Sequence, residues 1–422
     1  MEATILLDHE PAPGGHVVRA LLRLTGSPPP EDGRPPLNLA LVLDRSGSMA
    51  GAKLEAAREA AALLARRLRP ADVVSVVAYD HQALPVARPA RRADQPHLLD
   101  QIRGIDSGGN TNLSGGWLMG REFVAGNRSE NGVNRVLLLT DGLANEGITD
   151  PDSLVGLCAH AKRDGITTTP IGFGADYDER LLRAMADAGG GNLHYIEKTD
   201  QAAGVFADEL KDLLNVAAQN VSVTVTPADA AEQVTVHHDY PRSLEGRSLR
   251  LELGDLYAGE PRVLLAEFLL RPSAGDTDPA IPTDVGTLTI TGTVIEHDGA
   301  VSRHEIRLPI TVSTADGAVT HPEVRKEMLL LEAARARREA LEARERGDYA
   351  RGARLMESAA ATFEASPYFD ETLAEEAGDL HEMAQSYAAD KVSPADAKYL
   401  FHRAHNQARG RKSKSDLFRR RD

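Results

Sequence analysis

The sequence predicts an α/β fold: a doubly wound domain built on a mainly parallel sheet, inserted in a β-sandwich and followed by an α-helical C-terminal domain. Three observations predict it. From residue 38 to about 215, apolar runs of strand length alternate with amphipathic stretches of helix length, as when parallel strands are joined through helices. From about 220 to 315, short β-rich runs are separated by turn residues, the pattern of an antiparallel sandwich. From about 322 the chain is rich in the strong helix formers Ala, Leu, Glu and Arg.

Two runs open the chain, ATILLDH and HVVRALLRL, joined through Pro11, Pro13, Gly14 and Gly15, which reads as a hairpin. A hairpin alone is only marginally stable, so it is expected to complete the later sandwich. GSPPPEDGRPP is then a polar, proline-rich connector. NLALVLD is a continuous apolar run, as a strand buried on both faces requires. Leu54, Ala57, Ala61, Leu64 and Leu68 recur at helical spacing, and Pro70 ends that helix, placed at about Lys53 to Arg69. DVVSVVAY, NRVLLLTDG, ITTTPIGFG and NLHYIE read as further strands. HLLDQIRGI, SLVGLCAHAKRDG, DERLLRAMADAG and a long closing segment, DQAAGVFADELKDLLNVAA, read as helices.

In the second zone the strands are VSVTVTP, QVTVHHDY, SLRLEL, RVLLAEFLL, GTLTITGTVIEH and EIRLPITVS. About four helices follow, broken at Gly347–Asp348, Ser366–Pro367 and Ser393–Pro394, and they bury their stripes against one another as hairpins. The expected division is 1–35, N-terminal strands of the sandwich; 36–216, the doubly wound domain; 217–318, the sandwich; 319–408, the helical domain; 409–422, a basic tail.

Composition narrows the function. The chain has 422 residues, 42% of them hydrophobic, and a formal net charge of −15. The acidic balance argues against general nucleic-acid binding. Its one cysteine, Cys158, excludes an internal disulfide and a multi-cysteine metal site. No run of about 18 apolar residues spans a membrane, and the opening residues lack the basic start and apolar core of a signal peptide. The expectation is a cytoplasmic protein.

Three loops carry the chemistry: Asp44-Arg45-Ser46-Gly47-Ser48 after the first strand of the α/β zone, Gly108-Gly109-Asn110-Thr111-Asn112, and Thr140-Asp141-Gly142 at the end of NRVLLL. All three are placed at the carboxyl edge of a parallel sheet, where such sheets bind ligands. Asp44, Ser46, Ser48, Thr111 and Asp141 offer only oxygen donors, which suits a hard divalent cation: Mg²⁺, with Mn²⁺ or Ca²⁺ not distinguished. Neutral hydroxyl ligands would leave the metal net positive and ready for an anionic oxygen from a partner. The bland alternative is that Asp44 or Ser48 caps the next helix. Three such motifs in chain order, each at a strand end or a helix start, speak for a metal site.

The D-x-S-x-S, G-G-x-T-N and T-D-G set resembles the metal-ion-dependent adhesion site (MIDAS) of von Willebrand factor type A (VWA) domains. IGFGADYDERLLRAMADAGGGNLHYI looks like the later part of that family, in its bacterial calcium-activated-chloride-channel-like branch. The resemblance covers about residues 38–215. It implies a Rossmann-like fold in which Ser46 and Ser48 bind metal directly, Thr111 binds directly or through water, and Asp44 and Asp141 act mainly through water. It also implies that related bacterial proteins place the domain inside a β-sandwich and that some work beside AAA+ ATPases of the MoxR or chelatase type. With no membrane segment, channel activity is rejected.

The function expected is non-enzymatic: a metal-dependent protein-binding module, in an intracellular complex, whose metal bridges to a partner's Asp or Glu. A metal-assisted hydrolase or phosphatase is the alternative, with Asp44 as nucleophile. Against it, Ser46 stands where that pattern places a second aspartate, and no G-x-S-x-G, Walker loop or H-E-x-x-H is present. A scaffold with a vestigial metal site is the third reading. His237 and His238 lie in a strand pattern that sends neighbours to opposite faces. Cys158 reads as a buried hydrophobe, Trp117 as packing near the site, and Glu146 as a rim residue.

Overall fold

The polypeptide is described by a computed structural model over residues 1–12, 15–27, 34–129, 132–174, 176–271, 282–296, 301–313 and 317–410. The opening turn at 13–14, part of the proline-rich connector and residues 411–422 of the basic tail lie outside the described residues. β1 (Glu2–Ala12) and β2 (Gly15–Thr25) pair antiparallel in unbroken register from Glu2 opposite Thr25 to Ala12 opposite Gly15.

The α/β zone follows in the order β3 (Leu37–Asp44), α1 (Ala52–Arg67), β4 (Val73–Tyr79), β5 (Ala83–Arg91), α2 (Leu98–Arg103), α3 (Leu113–Gly126), β6 (Val133–Thr140), α4 (Pro151–Arg163), β7 (Thr167–Phe173), α5 (Glu179–Gly189), β8 (His194–Ile196) and α6 (Ala202–Leu214). Its sheet has the order β5-β4-β3-β6-β7-β8, parallel except for the antiparallel edge strand β5. Every residue of β3 and β6 is buried, as continuous apolar runs covered on both faces demand. Adjacent residues of β7 reveal the two faces: Thr168 receives the indole N–H of Trp117 from α3 at 3.1 Å, and Thr169 donates to Glu209 of α6 at 3.0 Å. From β3 the chain winds to β4 on one side and later returns to β6 on the other, so the winding reverses between β3 and β6.

Two elements here escape the sequence patterns. α3 carries Gly115, Gly116, Gly120 and Gly126, which lower helix propensity. Packing explains two of them. A Cβ at Gly116 would lie 2.5 Å from the Tyr79 ring, and one at Gly120 would lie 2.4 Å from a Val42 methyl. β5 holds Pro85 and Pro89, which an edge strand tolerates and a central one does not. The closing helix also stops earlier than expected. α6 ends at Leu214, and the buried run Val216-Ala217-Ala218 already belongs to β9 (Val216–Pro227).

β10 (Ala231–Val236), β11 (Arg242–Glu245), β12 (Ser248–Tyr257), β13 (Arg262–Leu270), β14 (Thr283–Ile295) and β15 (Val301–Val312) complete two sheets, ordered β1-β2-β13-β10 and β11-β12-β9-β14-β15. β13 pairs antiparallel with β2 on one side and β10 on the other. The N-terminal hairpin therefore belongs to the sandwich, and the α/β domain is an insertion between β2 and β9.

α7 (Pro322–Glu345), α8 (Tyr349–Glu364), α9 (Glu371–Ala388) and α10 (Pro394–Ala408) form the C-terminal bundle. Its core holds Ala340, Met356, Phe363, Leu380, Tyr387 and Leu400. Asp348, Asp370 and Ser393 cap α8, α9 and α10 through their side chains. Val324 and Leu331 of α7 pack with Leu21 of β2 and Leu265 of β13. Arg325 adds contacts to Asp8 at 2.9 Å and to Glu10 at 2.8 Å. The described residues divide into two units, one holding those of 1–27, 220–293 and 303–410, the other those of 34–219 and 294–302.

Candidate metal centre

Asp44 ends β3, Asp141 follows β6, and these two strands flank the point where the winding reverses, the position at which open α/β sheets hold ligands. Backbone bonds stitch the loops together. The Gly47 amide donates to the Gly109 carbonyl at 2.9 Å, the Gly108 amide to the Arg45 carbonyl at 2.7 Å, and the Asn145 amide to the Thr111 carbonyl at 3.3 Å. The three sequence motifs thus meet in space.

The hydroxyls and carboxylates form a continuous chain. Ser46 Oγ lies 3.2 Å from Ser48 Oγ, and Ser48 Oγ donates to Asp141 Oδ1 at 2.7 Å. Gly142 sits beside the Thr111 and Ser48 hydroxyls: a Cβ there would be 3.5 Å from Thr111 Oγ1 and 3.9 Å from Ser48 Oγ. Asp44 is fully buried. It accepts from the Ser46 amide at 2.8 Å and from Thr140 Oγ1 at 2.9 Å. Burial raises its pKa, the nearby Asp141 charge adds to that, and the Ser46 and Thr140 bonds pull the other way.

Neither Asp44 nor Ser48 caps α1, whose N-cap is Gly51 and has no side-chain cap bond. The capping alternative therefore does not account for these residues. Asp44 also makes a poor nucleophile where it stands, sealed from solvent and held by its donors.

The donor set fits a small hard cation. An octahedral ion with bonds of about 2.0–2.1 Å places adjacent oxygens about 3 Å apart. The Ser46–Ser48 and Ser48–Asp141 separations, 3.2 and 2.7 Å, bracket that spacing. Among the described residues no cluster of three or more His, Cys, Asp or Glu side chains could hold a metal, so hydroxyls would have to supply much of the ligand set.

Several further residues support the three loops. Asp80, just past β4, is buried and pairs with Arg45 at 2.6 Å. Burial would raise its pKa, but the Gln82 and Gly109 amides and Arg45 lower it on balance. A Cβ at Gly108 would lie 1.8 Å from Asp80 Oδ2, so only glycine lets the second loop close over this carboxylate. Asn112 caps α3 by accepting from the Gly115 amide at 2.9 Å, and Asn145 accepts from the Thr111 amide at 3.1 Å. Lys53, read from sequence only as a helix start, places its ammonium 2.6 Å from Asp141 Oδ2.

The other singled-out residues take structural places. Trp117 and Cys158 are buried in helix packing, and burial pushes the Cys158 thiol up to about 12. Glu146 is half-buried in the third loop. His238 is buried and accepts from the Leu265 amide at 3.0 Å, while His237 faces Glu267 at 3.7 Å, so the pair diverges. Among the described residues no helix is long and apolar enough to cross a membrane.

Known proteins share this architecture. The chain is 29% identical over 259 residues to the uncharacterized protein YfbK of Escherichia coli (strain K12), covering 58% of this chain and 44% of that protein. It is 32% identical over 248 residues to the uncharacterized protein sll0103 of Synechocystis, covering 57% of this chain and 58% of that one. The chain thus spans about half the length of these curated relatives. A solved structure, described as von Willebrand factor type A from Catenulispora acidiphila, superposes with a TM-score of 0.71 at 18% identity, over 97% of this chain and 96% of that one. The ArnB paralog VWA2 from Sulfolobus acidocaldarius gives 0.58 at 17% identity, over 96% and 98%. At such identity these two structures bear on the fold alone. The family described as von Willebrand factor type A domain matches residues 38–213, the stretch that contains all three loops. Residues 38–213 of this chain are a von Willebrand factor type A domain.

Proposed function

We propose that the three loops form a metal-ion-dependent adhesion site and that the chain is a non-enzymatic protein-binding module, its metal bridging to an Asp or Glu of a partner within an intracellular complex. The observation that carries this reading is the run of oxygens from Ser46 through Ser48 to Asp141 at octahedral-edge spacing. Thr111 lies beside it, and Asp44 anchors the loop from beneath.

Hydroxyls in place of a third carboxylate leave the metal short of negative charge, which a partner's carboxylate supplies. Ser48 is exposed, so the cluster opens outward. The short oxygen spacings suit Mg²⁺ or Mn²⁺ better than Ca²⁺, whose longer bonds spread its ligands. An AAA+ ATPase of the MoxR type is the partner class to test first.

The test is affinity capture with the full chain under three conditions: Mg²⁺, chelator, and the Ser46→Ala, Asp141→Ala double variant. A partner retained only with Mg²⁺ and intact ligands is expected. A partner indifferent to all three conditions would overturn the reading and move the binding surface to the sandwich or the bundle.

A further inference from the structure

Lys53 stands in an unfavourable place for a helix. It is the second residue of α1, where the positive end of the helix dipole disfavours a cation by about 0.3–1 kcal/mol. Its ammonium nevertheless turns to Asp141 Oδ2 at 2.6 Å, while Asp141 Oδ1 takes the Ser48 hydroxyl at 2.7 Å. Asp141 is wholly buried and the lysine side chain is 29% exposed, so the charge reaches the carboxylate from the solvent side. Gly174, at the end of β7 with a φ of 74°, borders the ammonium: a Cβ there would lie 3.5 Å from Nζ and 3.6 Å from Cε. Arg45, the cation of the first loop, is committed to Asp80.

We propose that Lys53 is a built-in counter-cation of the centre, with two opposed effects: it competes with the divalent metal for Asp141, and it keeps the loaded site attractive to a carboxylate. This rests on the metal-centre reading above. Without metal, a buried carboxylate needs a partner charge, and Lys53 is that partner. A divalent ion entering beside Ser48 must share or displace the ammonium, so metal affinity is held down. Once metal is bound, Asp44 and Asp141 can at most offset the two positive charges of the ion. The ammonium then adds a further positive charge to the cluster. An incoming carboxylate meets that surplus, and the attraction is substantial in a partly desolvated site.

The opposed signs provide the test. The full chain, Lys53→Met and Lys53→Arg are titrated with Mn²⁺, followed by electron paramagnetic resonance. Acetate is then titrated into each Mn²⁺-loaded protein, with displacement of metal-bound water read by proton relaxation. Lys53→Met is expected to bind Mn²⁺ about tenfold more tightly and acetate several-fold more weakly, with Lys53→Arg close to the parent. Mn²⁺ binding by Lys53→Met alone is the extreme form of the expected result.

Unchanged or weaker Mn²⁺ binding by Lys53→Met, with a parent that does bind, overturns this proposal and leaves the metal centre standing. No Mn²⁺ binding by any of the three overturns both. If Lys53→Met is unstable without metal, its Mn²⁺-induced rise in melting temperature is compared with the parent's. A larger rise supports the proposal and an equal one overturns it.

Discussion

Gly116 shows how far a single hydrogen atom reaches toward the metal centre. The ring of Tyr79 fills the space where a side chain at 116 would begin, at 2.5 Å. The Tyr79 hydroxyl in turn donates to the Leu139 carbonyl at 3.1 Å, beside Asp44. Gly116→Ala is expected to destabilise the domain by about 1–3 kcal/mol through overpacking, measured by chemical denaturation. It should also weaken Mn²⁺ binding, whereas Gly126→Ala, where a Cβ meets nothing within 4 Å, should leave Mn²⁺ binding unchanged and not destabilise the domain.

Cys158 gives a second residue-scale test. A buried thiol held near 12 has almost no thiolate at pH 8. It is expected to resist a thiol-specific disulfide reagent in the native protein and to react promptly once the chain is unfolded.

The five candidate residues can be singled out from sequence because each falls in a short contiguous motif at a strand end or a helix start. Lys53 and Asp80 cannot, because their partners Asp141 and Arg45 lie 88 and 35 residues away along the chain. No local pattern records such a pairing.

Among the elements, α6 is fastened by charge at its buried side. Glu209 is wholly buried; it meets His194 at 2.7 Å, Asn192 at 3.2 Å and Arg135 at 3.7 Å. Burial would raise its pKa, but the His194 contact and the Arg135 charge outweigh that and hold it down to about 2. A carboxyl lowered on folding stabilises the protein fully above its unfolded value near 4.5, and that contribution drains away as pH falls toward 2. Thermal unfolding between pH 7 and pH 3 is expected to show a steeper acid loss in the parent than in Glu209→Gln, with the variant already weaker at pH 7.

At this scale the sequence was a good guide wherever burial produced a continuous or periodic apolar run, as in β3, β6 and α1. It failed at α3 and β5. There the deciding factor was a neighbour's surface: a ring and a methyl that demand glycine in one, an edge position that admits proline in the other. The end of α6 was misplaced for a related reason, because Val216-Ala217-Ala218 suits a helix by composition and a buried strand by context.

Across the whole molecule, the first strands of the chain meet α7, the helix that opens the C-terminal bundle. Asp8 of β1 is buried and gathers Arg19 at 3.1 Å, Arg325 at 2.9 Å and the His321 amide at 3.1 Å. Asp8→Ala removes one of two acceptors that Arg19 and Arg325 share, Glu10 being the other, and is expected to cost about 1–3 kcal/mol. Calorimetry should show the sandwich transition falling while Mn²⁺ binding at the inserted domain stays unchanged.

The insertion has a bearing on how the protein is made. β2 ends at Thr25, but β13, its partner, begins at Arg262, about 240 residues later. At a synthesis rate of roughly 5–20 residues per second, the first hairpin waits about 10–50 s for the strand that completes its sheet. Throughout that wait Val18, Ala20, Leu22 and Leu24, all destined for the interior, have no finished core to enter. The inserted domain, complete well before β13 emerges, can fold in the interval. The nascent chain thus carries an uncovered apolar hairpin while the insert is made, and the window in which a chaperone would be useful to it is set by the length of the insert.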